Sequence, residues 1–217
     1  MKFLCISASN IEVARRRSAS VRACQMAAAI LQFECPGAEA EVLPLIDYEM
    51  KPCRMCGQCV TTQRCARDRA FNRVFEKMLQ ADGLVVVAPH YAPLPSKLMI
   101  LLEKMEEMAY LGWCADEQNF RFGLAGRPVA IIGHGGQSAP EALAYYQQAL
   151  VEPLAAAFAS CGLNVISAGP DAPHGVSFGI VSLSKPPGTI FVDIQHDWDA
   201  VHGRIAPLMK NLAASVR

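Results

Sequence analysis

Four cysteines fall within thirteen residues: Cys53, Cys56, Cys59 and Cys65, in KPCRMCGQCVTTQRC. Thiolates are natural ligands of zinc and of iron–sulfur clusters. Three of them at two-residue intervals can wrap one compact centre, and the fourth can close the shell. Zinc sites more often show two separated Cys-x-x-Cys pairs, or pairs completed by histidine. One tight run therefore favours a cubane cluster. In the related ferredoxin run the fourth cysteine follows sooner and precedes proline; here Ala66 follows Cys65. A [4Fe-4S] cluster on these four residues is the expectation, with zinc and metal-free thiols as the alternatives.

Three further segments carry polar or flexible residues directly after apolar runs. The first is Ser7-Ala-Ser9-Asn10, continuing to Arg15-Arg16-Arg17-Ser18-Ala19-Ser20. Hydroxyls, free backbone N–H groups and a helix N-terminus make an anion site, and arginines add charge-assisted bonds. The chain has no G-x-G-x-x-G and no Walker lysine pattern, so the phosphate expected here belongs to a flavin mononucleotide. The second segment is Pro89-His90-Tyr91-Ala92-Pro93-Leu94-Pro95, a stiff loop able to offer His90 and Tyr91 to the edge of a flat ring. The third is Gly133-His134-Gly135-Gly136, whose glycines admit close approach of backbone amides. Together they suit FMN, with phosphate at the first loop and isoalloxazine between the other two. Ser7, Ser9, Arg16, Arg17, Ser18, Ser20, Pro89, His90, Tyr91, Ala92, Gly133, His134, Gly135 and Gly136 are the expected contacts. No catalytic acid or base is assigned. Protons can come from water, or from His90 or His134.

The elements that must position these loops alternate between strands and helices. Strands are expected at Lys2–Ser7, Ala40–Ile46, Gly83–Ala88, Pro128–Gly133 and Asn164–Ala168. Helices are expected from Ser18 to about Phe33, at Ala70–Gln80, Ser96–Leu111 and Pro140–Cys161, and as a closing helix Asp197–Val216. Leu98, Leu101, Leu102, Met105 and Met108 form an apolar stripe on the third of these, with Glu103, Lys104, Glu106 and Glu107 on its other positions. Val176–Leu183 and Thr189–Gln195 read as an added β-hairpin around Lys185-Pro-Pro-Gly188. This alternation means an α/β fold, a doubly wound five-stranded parallel sheet, with ligands outside the carboxyl ends of its strands.

One domain over residues 1–217 is expected, with a cluster-binding insertion at 50–66. The 217 residues are 52% hydrophobic and 18% charged, with formal net charge 0. Nothing in that balance points to nucleic acid or to an acidic membrane surface. No apolar run is long enough to span a bilayer, and the start is too short for a signal-peptide core. A cytoplasmic location follows. Nine cysteines in such a chain are not a disulfide framework. Cys5, Cys24, Cys35, Cys114 and Cys161 are expected to be small buried hydrophobes.

The segment from Lys51 through Met105 resembles the iron–sulfur flavoproteins, within the broader NAD(P)H-dependent FMN-reductase, flavodoxin-like group. The resemblance rests on the cysteine run, Ala81-Asp82-Gly83, Pro89-His90-Tyr91, Ser96-Lys97-Leu98, Phe122 to Pro128, and Gly133 to Gly136. It implies strand order 2-1-3-4-5, FMN in the cleft and a [4Fe-4S] cluster on Cys53, Cys56, Cys59 and Cys65. It also implies a homodimer or homotetramer, with the cluster of one subunit near the flavin of another. An Asp-Arg pair common in that group is replaced here by Glu103-Lys104. The leading expectation is an electron-transfer oxidoreductase drawing on NAD(P)H or ferredoxin. A cluster-free NAD(P)H-dependent FMN or quinone reductase is the second reading. A non-enzymatic flavodoxin-like protein with structural zinc is the third.

Overall fold

The computed structural model of the chain describes residues 1–12, 17–179, 182–184, 193–195 and 197–217. Its centre is a sheet ordered β2-β1-β3-β4-β5, all parallel: β1 Lys2–Ser7, β2 Glu39–Pro44, β3 Gly83–Pro89, β4 Pro128–Gly135 and β5 Asn164–Val165. β1, β3 and β4 are almost wholly buried, as continuous apolar strands covered on both faces must be. The flavodoxin-like order expected from the sequence is the one observed.

Helices α1 (Ala19–Glu34) and α6 (Trp198–Ser215) cover one face of the sheet. α2 (Arg69–Gln80), α3 (Ser96–Ala115), α4 (Pro140–Tyr146) and α5 (Glu152–Ser160) lie on the other side of the strands. The apolar residues sort accordingly into two cores. Phe71, Val74, Phe75 and Met78 of α2 pack with Leu98, Leu101, Met105 and Met108 of α3 in the first. Ala23, Ala27 and Leu31 of α1 pack with Ile205, Leu208 and Leu212 of α6 in the second. Burial of each large side chain contributes about 1.5–3 kcal/mol.

Four features depart from the sequence reading. The helix expected at Pro140–Cys161 carries a π turn at Gln147–Val151 between α4 and α5. That turn seats Leu150 and Val151 against Gly133, where a Cβ would come within 2.8 Å of Val151. Second, β5 is only two residues long, and the free half of β4 is filled by β6 (Val176–Gly179), paired parallel with Ile132 against Val176. Gly175 makes that approach possible: at φ +127°, any Cβ there would lie 2.2 Å from the Ile131 carbonyl oxygen. The expected hairpin is therefore divided. Its outer part survives as β7 (Ser182–Ser184), antiparallel to β8 (Asp193–Gln195); the turn at 185–188 lies outside the described residues.

Third, Lys104 is buried although it stands outside the apolar stripe, for a reason given below. Fourth, Cys114 is exposed, whereas Cys5, Cys24, Cys35 and Cys161 are buried as expected. Cys114 falls in the last turn of α3 beside exposed Trp113, where the helix runs past the core. Burial pushes the Cys5 thiol up to about 12 and the Cys161 thiol to about 11. These two are inert packing groups. No helix among the described residues is long and apolar enough to cross a membrane.

Candidate functional site

Two cavities hold nearly all the chemistry-bearing residues. The first opens at the carboxyl edge of the sheet, with a volume of about 370 Å³. Ser9 after β1, Pro89, His90 and Tyr91 after β3, and His134, Gly135 and Gly136 of β4 and its loop all line it. So do Arg17, Ser18 and Ser20 at the start of α1. Ser18 is the N-cap of α1, its hydroxyl accepting from the Val21 N–H at 3.3 Å. The remaining amides of that first turn, with the helix dipole, are of the kind that can receive an anion.

Within the cleft His134 is fixed from two sides. Its Nε2 lies 2.7 Å from the Ser20 hydroxyl, and its ring stacks on Phe178 of β6 at 4.9 Å. The His90 N–H donates to the His134 carbonyl at 2.7 Å, tying the second loop to the third. The His90 ring sits against Tyr145 and Tyr146, at 5.2 and 5.5 Å. Burial raises the Tyr91 phenol, partly offset by its hydrogen bond with Ser9. Ala92 takes a left-handed conformation, φ 55°, which turns the proline loop back so that the Tyr91 N–H reaches the Pro93 carbonyl.

Not every expected contact lines the cleft. Ser7 is buried at the end of β1, Gly133 faces Leu150 and Val151 of the π turn, and Ala92 stands outside the lining. Arg16 lies outside the described residues. Four lining residues were not foreseen: Ile11, Ala19, Arg22 and Trp198. Trp198 opens α6, and the Arg22 guanidinium stacks over it at 4.2 Å. The single hint in the sequence was the capping pattern at Asp197, whose carboxylate accepts from the Ala200 N–H.

The second cavity, about 260 Å³, is lined by Cys53, Cys56, Cys59 and Cys65 together with Asp68, Lys104 and Glu107. Left-handed residues Met55, Gly57 and Gln63, at φ 47°, 68° and 49°, wind the chain around it. Two anchors of this loop come from helices α3 and α2, and a third from the segment before β4. The Cys53 N–H donates to Glu103 Oε2 at 3.0 Å. Asn72 clamps Cys65, accepting from its N–H and donating to its carbonyl, both at 2.8 Å. Gln63 bridges the Arg121 carbonyl and the Gly123 N–H.

Beneath the cysteines lies an ion pair, Lys104 Nζ to Asp68 Oδ2 at 2.8 Å, with both side chains 3% exposed. Asp68 is also the N-cap of α2 and accepts from the N–H groups of Phe71 and Lys51. Burial alone would raise its carboxyl. The bonds from Lys104, Phe71 and Lys51 outweigh burial and hold it below the usual carboxylate range. Lys104 Nζ also lies 3.6 Å from Cys65 Sγ. Lys104 stands on a helical position outside the apolar stripe, and the partner that draws it inward is 36 residues away.

The donor set fits a thiolate-bound cluster. Burial raises the Cys59 thiol most, and the neighbouring Cys53, Cys56 and Cys65 raise it further, so the four sulfurs share one field. The Cys56 thiol, fully exposed, is lowered by the Gln58 N–H and by Arg67. Among the described residues no three His, Cys, Asp or Glu side chains converge on a point that would hold a single metal ion.

A parallel sheet ordered in this way, with an anion-binding helix start at its carboxyl edge, defines the flavodoxin-like class. The family model described as NADPH-dependent FMN reductase matches residues 1–169, and the chain belongs to that family. An iron-sulfur flavoprotein of Methanosarcina thermophila is 33% identical over 69 residues, 31% of this chain and 36% of that protein. One of Archaeoglobus fulgidus is 40% identical over 55 residues, 25% and 27% of the two chains. These matches thus span about a third of each curated relative or less. Among solved structures, RosB with a bound 8-demethyl-8-formylriboflavin 5'-phosphate intermediate superposes over 100% of this chain and 79% of its own, TM-score 0.70, at 18% identity. An oxidoreductase of Corynebacterium diphtheriae covers 99% and 96%, TM-score 0.60, at 15% identity.

Proposed function

We propose that this oxidoreductase passes electrons between FMN in the carboxyl-edge cleft and a [4Fe-4S] cluster on Cys53, Cys56, Cys59 and Cys65. The observation that carries the reading is the second cavity: four cysteines line it, in a loop shaped by three left-handed residues and tied to two helices. Cysteines kept only as packing groups would not need that frame. The partial likeness to the two iron-sulfur flavoproteins supports it.

A flavin supplies exchange between two-electron and one-electron carriers, and a cluster supplies single electrons. The residues of this chain hold and orient. Ser9, Arg17, Ser18 and Ser20 offer hydroxyls, guanidinium and helix amides to the FMN phosphate; Arg16 belongs to the same proposed set. Pro89, His90, Tyr91, Ala92 and Gly133 to Gly136 frame the ring. Among the described residues, His90 Nε2 is buried with no hydrogen-bond partner. It lines the cleft and would gain a partner from a bound flavin nucleotide. The external donor is NAD(P)H or a ferredoxin-type protein. The chain is proposed to act as one domain, residues 1–217, in a homodimer or homotetramer. The exposed Met55, Tyr110 and Trp113 near the cysteine loop and along α3 support assembly.

The test is an anaerobic absorption spectrum with iron, zinc and flavin measured on the same sample. Flavin with about four irons per chain, and loss of the iron but not the flavin in Cys56→Ala, supports the reading. Flavin without iron would leave the plain NAD(P)H-dependent reductase. Stoichiometric zinc without flavin would leave a structural metal site.

A further inference from the structure

The cavity under the cysteines contains a charged group that the proposed ligand set does not use. Lys104 is buried, and its ammonium reaches two acceptors: Asp68 at 2.8 Å and Cys65 Sγ at 3.6 Å. Its side chain also passes over the Phe71 ring at 5.3 Å, which limits the positions it can take. Other donors to the thiols are of a different kind. The Met55 N–H points at Cys53 Sγ, at 3.4 Å, and the Gln58 N–H bonds Cys56. Those are backbone groups, fixed by the loop whatever the side chains. Arg67 beside Cys56 is exposed, so water and salt screen it. Lys104 combines full charge, burial and a sulfur contact.

Resting on the cluster reading above, we propose that Lys104 is a positioning and potential-setting residue: its buried ammonium, aimed at Cys65 Sγ and held there by Asp68, makes the cluster easier to reduce. Four thiolates around an iron–sulfur core form an anion that gains one more negative charge on reduction. A cation at fixed distance stabilises the more negative state more. An N–H···S bond acts in the same direction by drawing density from the sulfur. Low local dielectric keeps the effect from being screened. Asp68 has two opposed effects. It fixes the ammonium in place, and it offsets part of its charge. A lysine free to reach solvent would do neither.

Two substitutions push in opposite directions. Lys104→Met keeps the apolar stem and removes the charge and the donor. Asp68→Asn keeps an N-cap for α2, since asparagine caps as well as aspartate, and removes the negative charge that offsets Lys104. The measurement is an anaerobic optical redox titration of the loaded protein, with iron and flavin quantified in each sample. The flavin transition serves as the internal reference. The expected result for Lys104→Met is about a tenfold fall in the reduced-to-oxidised ratio of the cluster at a given ambient potential, or about 59 mV for a one-electron couple. Asp68→Asn should move the ratio the other way. Lys104→Arg, which keeps the charge, should restore at least half of the shift. A merely structural lysine would change stability and iron content but not the midpoint of the cluster that remains. Full iron content with an unchanged midpoint in Lys104→Met overturns the proposal. Should that variant not fold, an unchanged or lowered midpoint in Asp68→Asn overturns it alone. Wild-type protein with flavin but no iron overturns instead the cluster reading on which it rests.

Discussion

Replacing Lys104 by methionine in the reduced, iron-free chain isolates what the buried ion pair does for the fold. The substitution conserves most of the stem volume and leaves Asp68 without its counter-charge at 4% exposure. Removing one partner of a buried pair costs about 3–5 kcal/mol. Asp68 keeps two backbone donors, Phe71 N–H at 3.0 Å and Lys51 N–H at 2.8 Å, so the lower end applies, about 3 kcal/mol. In a chain of this size that is a fall in Tm of about 6–12 °C. In an Asp68→Asn background no buried charge is stranded, and the same substitution should cost about 1 kcal/mol. The coupling of roughly 2 kcal/mol is read from a double-mutant cycle in urea. The sign with pH is also fixed. Asp68 is held below its ordinary 3.8, so its contribution is complete above that value and is lost as pH falls through the lower native value. Lys104→Met should therefore flatten the acid limb of stability. A cost below about 1 kcal/mol, or the same cost in both backgrounds, would refute the reasoning.

Other expectations are independent of that pair. Gly175→Ala places a Cβ 2.2 Å from the Ile131 carbonyl at positive φ; a loss of about 2–4 kcal/mol by urea unfolding is expected. Ser20→Ala removes the 2.7 Å contact with His134 and should lower stability by about 1 kcal/mol, with FMN affinity reduced in a fluorescence titration. Arg17→Gln should weaken FMN binding about tenfold at low salt and less at high salt, and leave riboflavin binding unchanged, if the guanidinium serves the phosphate as proposed. Cys114→Ala should retain iron where Cys56→Ala loses it, since Cys114 lies on the exposed end of α3.

The sheet order and the three loops were legible because their signals are local. Gly83–Ala88 is an unbroken apolar run, and such strands are buried on both faces. Ser9 and His90 follow strands and His134 stands near the carboxyl end of β4, so the topology alone brings them to one edge. The unforeseen residues depend on distant partners. Trp198 reaches the cleft because α6 packs beside α1, more than 160 residues apart in sequence. β6 exists because β5 stops after two residues and a glycine lets the chain return beneath β4. Lys104 sits among helical positions that read as polar, and its burial becomes explicable only once Asp68 is seen facing it. Periodicity reports which face is apolar; it does not report which charged residue on the other face has found a counter-ion.

The anchoring of the cysteine loop has a consequence for how the protein would be matured. Glu103, Asn72, Asp68 and Gln63 hold the segment in shape through backbone hydrogen bonds that involve none of the sulfurs. The shape of the segment therefore rests on bonds made by folding. On the cluster reading proposed above, iron could be inserted late, into a finished chain, by a carrier that needs access only to the rim, where Cys56 stands exposed. A cluster destroyed by oxygen could be rebuilt in the same way, so the cell would repair the cofactor without replacing the polypeptide.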